Sequence, residues 1–232
     1  MATMSTRPTA ADFLARNRGG GLFTETVSQR IGAYLCVLAN RFNLPPTALT
    51  LANLVLGLGA SVGVIALAGD LNVAIGLAAL VLWQLAYALD CADGQLARVT
   101  GRTSPAGKRI DVLCDVALQI ALVASVVAVA NAYQPNLPSW LAPLFAGTWM
   151  VNLVTSVLQQ DSTAHSLITN NSPVVRVVKL VRDYGAVVTV IGLTLAFAPQ
   201  WTIWLLVAFT VVNGAFLLAS IAATARASLG AR

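Results

Sequence analysis

Charge is what this chain has least of. Only 10% of its 232 residues are Asp, Glu, Lys or Arg, against about 25% in an ordinary soluble domain. With 57% of residues hydrophobic, a soluble fold of this length has too little polar surface to cover its core. The three cysteines, Cys36, Cys91 and Cys114, are an odd set without close spacing. That excludes a disulfide framework or a CxxC zinc site and leaves them as small packing residues. The single histidine, His165, lies in a polar stretch over 159–172 and reads as a surface residue. The first twenty residues contain Arg7, Arg16 and Arg18 but no apolar h-region, so no cleaved signal peptide is expected. Internal repeats of the kind that mark many transporters are also missing.

What is present is a series of apolar runs near the roughly 20 residues that cross a bilayer as a helix. Residues 1–23, with Gly19, Gly20 and Gly21, read as a flexible cytosolic tail. Over 24–44, Val27, Ile31, Tyr34, Leu35, Leu38 and Phe42 recur at helical spacing opposite Glu25, Gln29, Arg30 and Arg41. That pattern predicts an amphipathic helix lying in the membrane interface. Pro45-Pro46 breaks the chain, and residues 45–227 read as one all-α domain of six spans: 47–69, 71–98, 109–133, 138–159, 174–198 and 200–225. All fourteen Lys and Arg residues fall on one side of this arrangement, and the loops near Asp70, residues 134–137 and residues 199–200 hold none. The positive-inside rule then places both termini in the cytosol. The formal charge of +5 needs no nucleic acid to explain it.

Four of the nine acidic residues crowd between positions 90 and 115, at the ends of two apolar helices. Ionisable groups at membrane depth are costly and mark function by default. Asp90 and Asp93 are three apart and Asp111 and Asp115 four apart, so each pair shares a helix face. A short connection over about 99–108 is expected to pack the two helices antiparallel with these faces opposed. Four carboxylates held together repel, and cations must compensate them. Hard oxygen ligands suit Mg²⁺ or Mn²⁺, and two such ions can clamp a pyrophosphate. The plainer reading is a structural ion cluster with Arg98, Lys108 and Arg109. Gly94, Ala97 and Gly107 are small where a ligand can approach closely, and Arg98 offers a planar donor to phosphate.

Asp90, Asp93, Gly94, Ala97, Arg98, Gly107, Asp111 and Asp115 match every fixed position of D-x2-D-G-x2-A-R-x8-G-x3-D-x3-D. In this the chain resembles the CDP-alcohol phosphotransferases, also called CDP-alcohol phosphatidyltransferases. Thr50-Leu-Ala-Asn53 also looks like the family's first-span segment. The resemblance implies phospholipid biosynthesis in the cell membrane, with the active site facing the cytosol. A phosphoalcohol, such as the phosphatidyl group of CDP-diacylglycerol, would pass to an acceptor hydroxyl and CMP would leave. It implies two metal ions on Asp90, Asp93 and Asp111, with Asp115 completing the cluster and acting as general base. It further implies that Asp90, Asn53, Gly94, Ala97, Arg98 and Gly107 face the CDP moiety, and that the enzyme is a homodimer.

The motif does not discriminate among acceptors. Arg176, Lys179 and Arg182 at the start of the fifth span form either a phosphate cradle or ordinary positive-inside charge. Asp183, set deeper into that span, favours the cradle and an acceptor such as inositol phosphate, then glycerol phosphate. Against the inositol-phosphate branch, Val116 rather than an arginine follows Asp115, and unphosphorylated alcohols (serine, inositol, an aminoalcohol) stay open. A membrane prenyltransferase would place its aspartates in two widely separated motifs. An ion-coupled transporter would carry repeats or broken helices. The topology has a direct test: a cysteine introduced at Gln134 is expected to react with an impermeant maleimide only from outside the cell, and labelling from the cytosol would overturn the orientation.

Overall fold

The computed structural model describes residues 7–17, 19–161 and 183–230. His165, Arg176, Lys179 and Arg182 lie outside the described residues. The architecture is all helical and multi-pass. A short helix α1 (Ala10–Leu14) leads through a π-helical turn (Thr24–Ser28) into α2 (Gln29–Arg41). Then come α3 (Pro46–Ala66), α4 (Val73–Thr100), α5 (Pro105–Tyr133), α6 (Leu141–Asp161), α7 (Tyr184–Phe197) and α8 (Thr202–Gly230).

Four stretches are long and apolar enough to cross a membrane: α3, α4, α5 and Pro199–Arg226, which takes in most of α8. The apolar parts of the two other expected spans, Leu141–Val151 and Tyr184–Phe197, are shorter among the described residues. Val55, Val62, Val81, Val211 and Leu218 are exposed on the helix surfaces, which suits hydrocarbon, where helices satisfy every backbone group internally.

Local chemistry sets the helix ends. Pro45-Pro46 starts α3 and Pro105 starts α5, both at positions whose N–H has no helical partner. Ser104 caps α5 by accepting from the Gly107 amide at 3.0 Å. Gly101 ends α4 at φ +69°, a left-handed cap that costs glycine little. The chain thus turns from α4 into α5 within residues 101–104.

The two helices do not, however, pack face to face as the sequence suggested. Each packs along α3, and α4 and α5 have almost no direct backbone approach. Gly57 is the reason α3 can sit between them: a Cβ there would lie 2.4 Å from Leu118 Cδ2 and 3.6 Å from Ala86 Cβ. The Trp83 indole N–H, donating to Ser61 Oγ at 3.1 Å, ties α4 to the same wedge.

Two cores result. One joins Val64, Trp83, Val126, Phe145, Ile191 and Leu206. The other gathers Phe13, Ala33, Cys36, Leu49, Ala92 and Leu96 beside the acidic ends of the helices. Where the sequence reads a flexible tail, α1 therefore seats fully buried Phe13 against the bundle. A capping box of Thr9 and Asp12 begins this helix, with Asp12 Oδ2 accepting from both the amide and the hydroxyl of Thr9 at 2.7 Å. Those bonds, the backbone one foremost, hold the Asp12 carboxyl below its ordinary range. Cys36 behaves as a packing residue, its Sγ 3.0 Å from the Ala92 carbonyl.

Helix α4 also crosses α7 closely, because a Cβ at Gly76 would lie 2.3 Å from the Ala196 Cα. Backbone cannot yield as a side-chain tip can. Gly76→Ala is expected to destabilise the protein by about 1–3 kcal/mol through overpacking, read as a lower melting temperature in detergent. Gly59→Ala, with open space around it, serves as the neutral control, and equal melting of the two variants would contradict the crossing.

Candidate metal and nucleotide site

The acidic residues converge from both sides of the α3 wedge. One carboxylate oxygen from each of Asp90, Asp93 and Asp111 lies within 4.8 Å of the others. Asp93 is buried, and Asp90 and Asp111 are half-buried. Asp115, one turn further along α5, has its carboxyl in hydrogen-bonding contact with that of Asp90. The sequence-predicted quartet is therefore assembled, with Asp115 set to one side of the other three.

An all-carboxylate set this compact fits a hard divalent cation. The repulsion among four negative groups away from bulk water is relieved when such an ion binds. Two neutral donors on α3 help hold the carboxylates. Asn53 Nδ2 donates to Asp90 Oδ1 at 3.3 Å, and Thr50 Oγ1 donates to Asp93 Oδ2 at 2.5 Å. Both donors are buried, Thr50 at 3% and Asn53 at 2% exposed. Outer donors of this kind fix the orientation of metal-ligating carboxylates. Asn53 was expected at the nucleotide; here it reaches the aspartates. Thr50 escaped the sequence reading as a site residue, although its three-residue spacing from Asn53 puts both on one helix face.

At the open end of α4, Gly94 and Arg98 lie together: a Cβ at Gly94 would sit 2.9 Å from Arg98 Nη1. Arg98 Nε donates to the Arg16 carbonyl at 2.8 Å, so the N-terminal segment holds the guanidinium in place. Ala97 is half-buried beside it. Gly107 lies across the turn at the start of α5, its amide engaged by Ser104. Small residues and a cation thus border the carboxylates, an arrangement that suits a pyrophosphate with its counter-ions. Arg176, Lys179 and Arg182 lie outside the described residues, and their place relative to this centre is not part of the geometry.

Thr50→Val keeps the shape of the side chain and removes the hydroxyl from Asp93. A lost hydrogen bond to a charged group costs about 1.5–3 kcal/mol, so divalent-ion binding by the purified protein is expected to weaken roughly 10- to 150-fold. Thr50→Ser should stay near wild type in the same Mn²⁺ titration. Equal affinities for the valine and serine variants would remove Thr50 from the site.

Among known proteins, no curated protein matches this chain. The family model for CDP-alcohol phosphatidyltransferase matches residues 43–222, which takes in α3 to α7, most of α8 and all four aspartates. The chain belongs to the CDP-alcohol phosphatidyltransferase family.

Proposed function

We propose that this protein transfers a phosphatidyl group from CDP-diacylglycerol to the hydroxyl of a polyol phosphate, inositol phosphate first and glycerol phosphate next, releasing CMP. The observation that carries the reading is the convergence of Asp90, Asp93 and Asp111 within 4.8 Å, with Asp115 against Asp90. In this reading the three converging carboxylates hold two Mg²⁺ or Mn²⁺ ions, with Asp115 completing the set. The ions supply neutralisation of the pyrophosphate and of the charge that develops during transfer.

The protein's own groups do the rest. Arg98 binds a phosphate oxygen of the nucleotide, and Gly94, Ala97 and Gly107 leave room for the CDP moiety. Asp115 accepts the proton of the acceptor hydroxyl. The hydroxyl oxygen bonds to the phosphorus nearest the lipid alcohol as the bond from that phosphorus to the CMP oxygen breaks. Positioning and charge compensation account for catalysis of this kind.

The membrane setting belongs to the same proposal. All fourteen cations fall on one side of a six-span arrangement, which supports a cytosolic active site in the cell membrane. Helix α2 buries Ala33, Cys36 and Ala39 but leaves Ile31, Tyr34, Leu38 and Phe42 exposed, which supports its lying in the interface.

The test is CMP release from CDP-diacylglycerol in detergent, with and without EDTA, across inositol phosphate, glycerol phosphate, inositol and serine. Asp90→Asn, Asp93→Asn and Asp111→Asn are expected to lose both divalent-ion binding and turnover. Asp115→Asn should retain ion binding while kcat falls roughly 10²- to 10⁴-fold; near-normal turnover would remove it as the base. For a phosphorylated acceptor, Arg182→Ala should raise its KM about 10- to 150-fold with little change for the CDP-lipid. Turnover of serine or free inositol alone, indifferent to Arg182, would redirect the assignment to an uncharged acceptor.

A further inference from the structure

A second buried polar cluster lies where the N-terminal segment, α4 and α7 meet. Asp183, 3% exposed, accepts from the Thr24 amide at 3.0 Å and from the Thr24 hydroxyl at 2.5 Å, across 159 positions of sequence. It also accepts from the Gly185 amide at 3.1 Å, capping α7. Because the Thr24 hydroxyl gives its proton to this carboxylate, Tyr87 O–H is the donor in the 3.0 Å contact with Thr24 Oγ1. Tyr87 stands three residues before Asp90 on α4, and its ring meets that of Tyr184 edge to face at 4.9 Å between centroids. Tyr184 is the first residue of α7.

A cap for α7 needs only one of these bonds. The two from Thr24 add a tie between a distant segment and the helix end. The fit there is tight: a Cβ at Gly21 would lie 2.2 Å from Asp183 Oδ2, and one at Gly185 would lie 2.7 Å from Phe23 Cδ1.

We propose that Thr24 and Asp183 form a latch through which the seating of the N-terminal amphipathic segment fixes the entry of α7. The latch sets Tyr87, three residues before Asp90 on α4, together with its ring partner Tyr184, which makes Thr24 and Asp183 positioning residues for the aspartate centre. Its kinetic consequence rests on the transfer reaction proposed above. The connection itself does not.

The experiment compares full-length wild type with Thr24→Val, Thr24→Ser and Gly21→Ala. The valine variant keeps the shape and removes the hydroxyl, the serine variant keeps the hydroxyl, and the alanine variant wedges the latch apart with all its polar groups intact. Expected are a fall in kcat of about tenfold or more for Thr24→Val and Gly21→Ala, unchanged KM for the CDP-lipid, and near-wild-type rates for Thr24→Ser. Hydrogen–deuterium exchange over Tyr184–Thr189 should quicken in the same two variants and not in the serine variant. The proposal is overturned if Thr24→Val and Thr24→Ser behave alike, or if activity falls only in step with the folded fraction. Wild type that releases no CMP from any CDP-lipid would refute the reaction, and the exchange data would then decide the latch. Exchange that is uniform across the variants would refute it.

Discussion

Four carboxylates at one end of an apolar bundle repel one another, and each loses hydration where it is buried. The surrounding structure can be understood as a response to that single strain. Helix α3 keeps α4 and α5 apart along their lengths, so the charges meet only at one end. Thr50 and Asn53 on that same helix supply neutral donors to Asp93 and Asp90. The remaining excess of negative charge suits a cation, and a costly cluster of like charges of this kind is a candidate site rather than a defect.

The N-terminal segment packs against the acidic end of α4. Phe13 is wholly buried in the second core, the Arg16 carbonyl receives Arg98, and Gln95 on α4 donates to the Gln29 carbonyl at 3.0 Å. Gly32 brings α2 so near α4 that a Cβ would lie 2.9 Å from the Ala88 carbonyl. These contacts run along the half of α4 that carries Asp90, Asp93 and Arg98. Helix α2, with Ile31, Tyr34, Leu38 and Phe42 exposed, is thus also part of the wall behind the aspartate cluster.

Some of this was legible in the sequence. Aspartates at i, i+3 and i, i+4 in apolar helices identify a shared face and a cation requirement, and the structure brings all four together. The apolar runs give the helices. The sequence could not say which helix stands between α4 and α5, because periodicity gives the buried face of a helix without naming its neighbour. Gly57 reads as any small residue until Leu118 is seen against it. Thr50 passes as an ordinary helix residue, since its role depends on Asp93, 43 positions away. Helix α1 is too short for a periodic signal, so the sequence reads as a flexible tail where the structure has a capped helix.

The turn over residues 101–104 bears on how such chains can vary in length. The two halves of the donor set sit on either side of it, and Ser104 fixes the first turn of α5 through Gly107. One residue added inside that first turn rotates the rest of the helix by about 100° and swings Asp111 and Asp115 away from α4. Within residues 105–108, even a single inserted residue takes Asp111 and Asp115 out of register with Asp90 and Asp93.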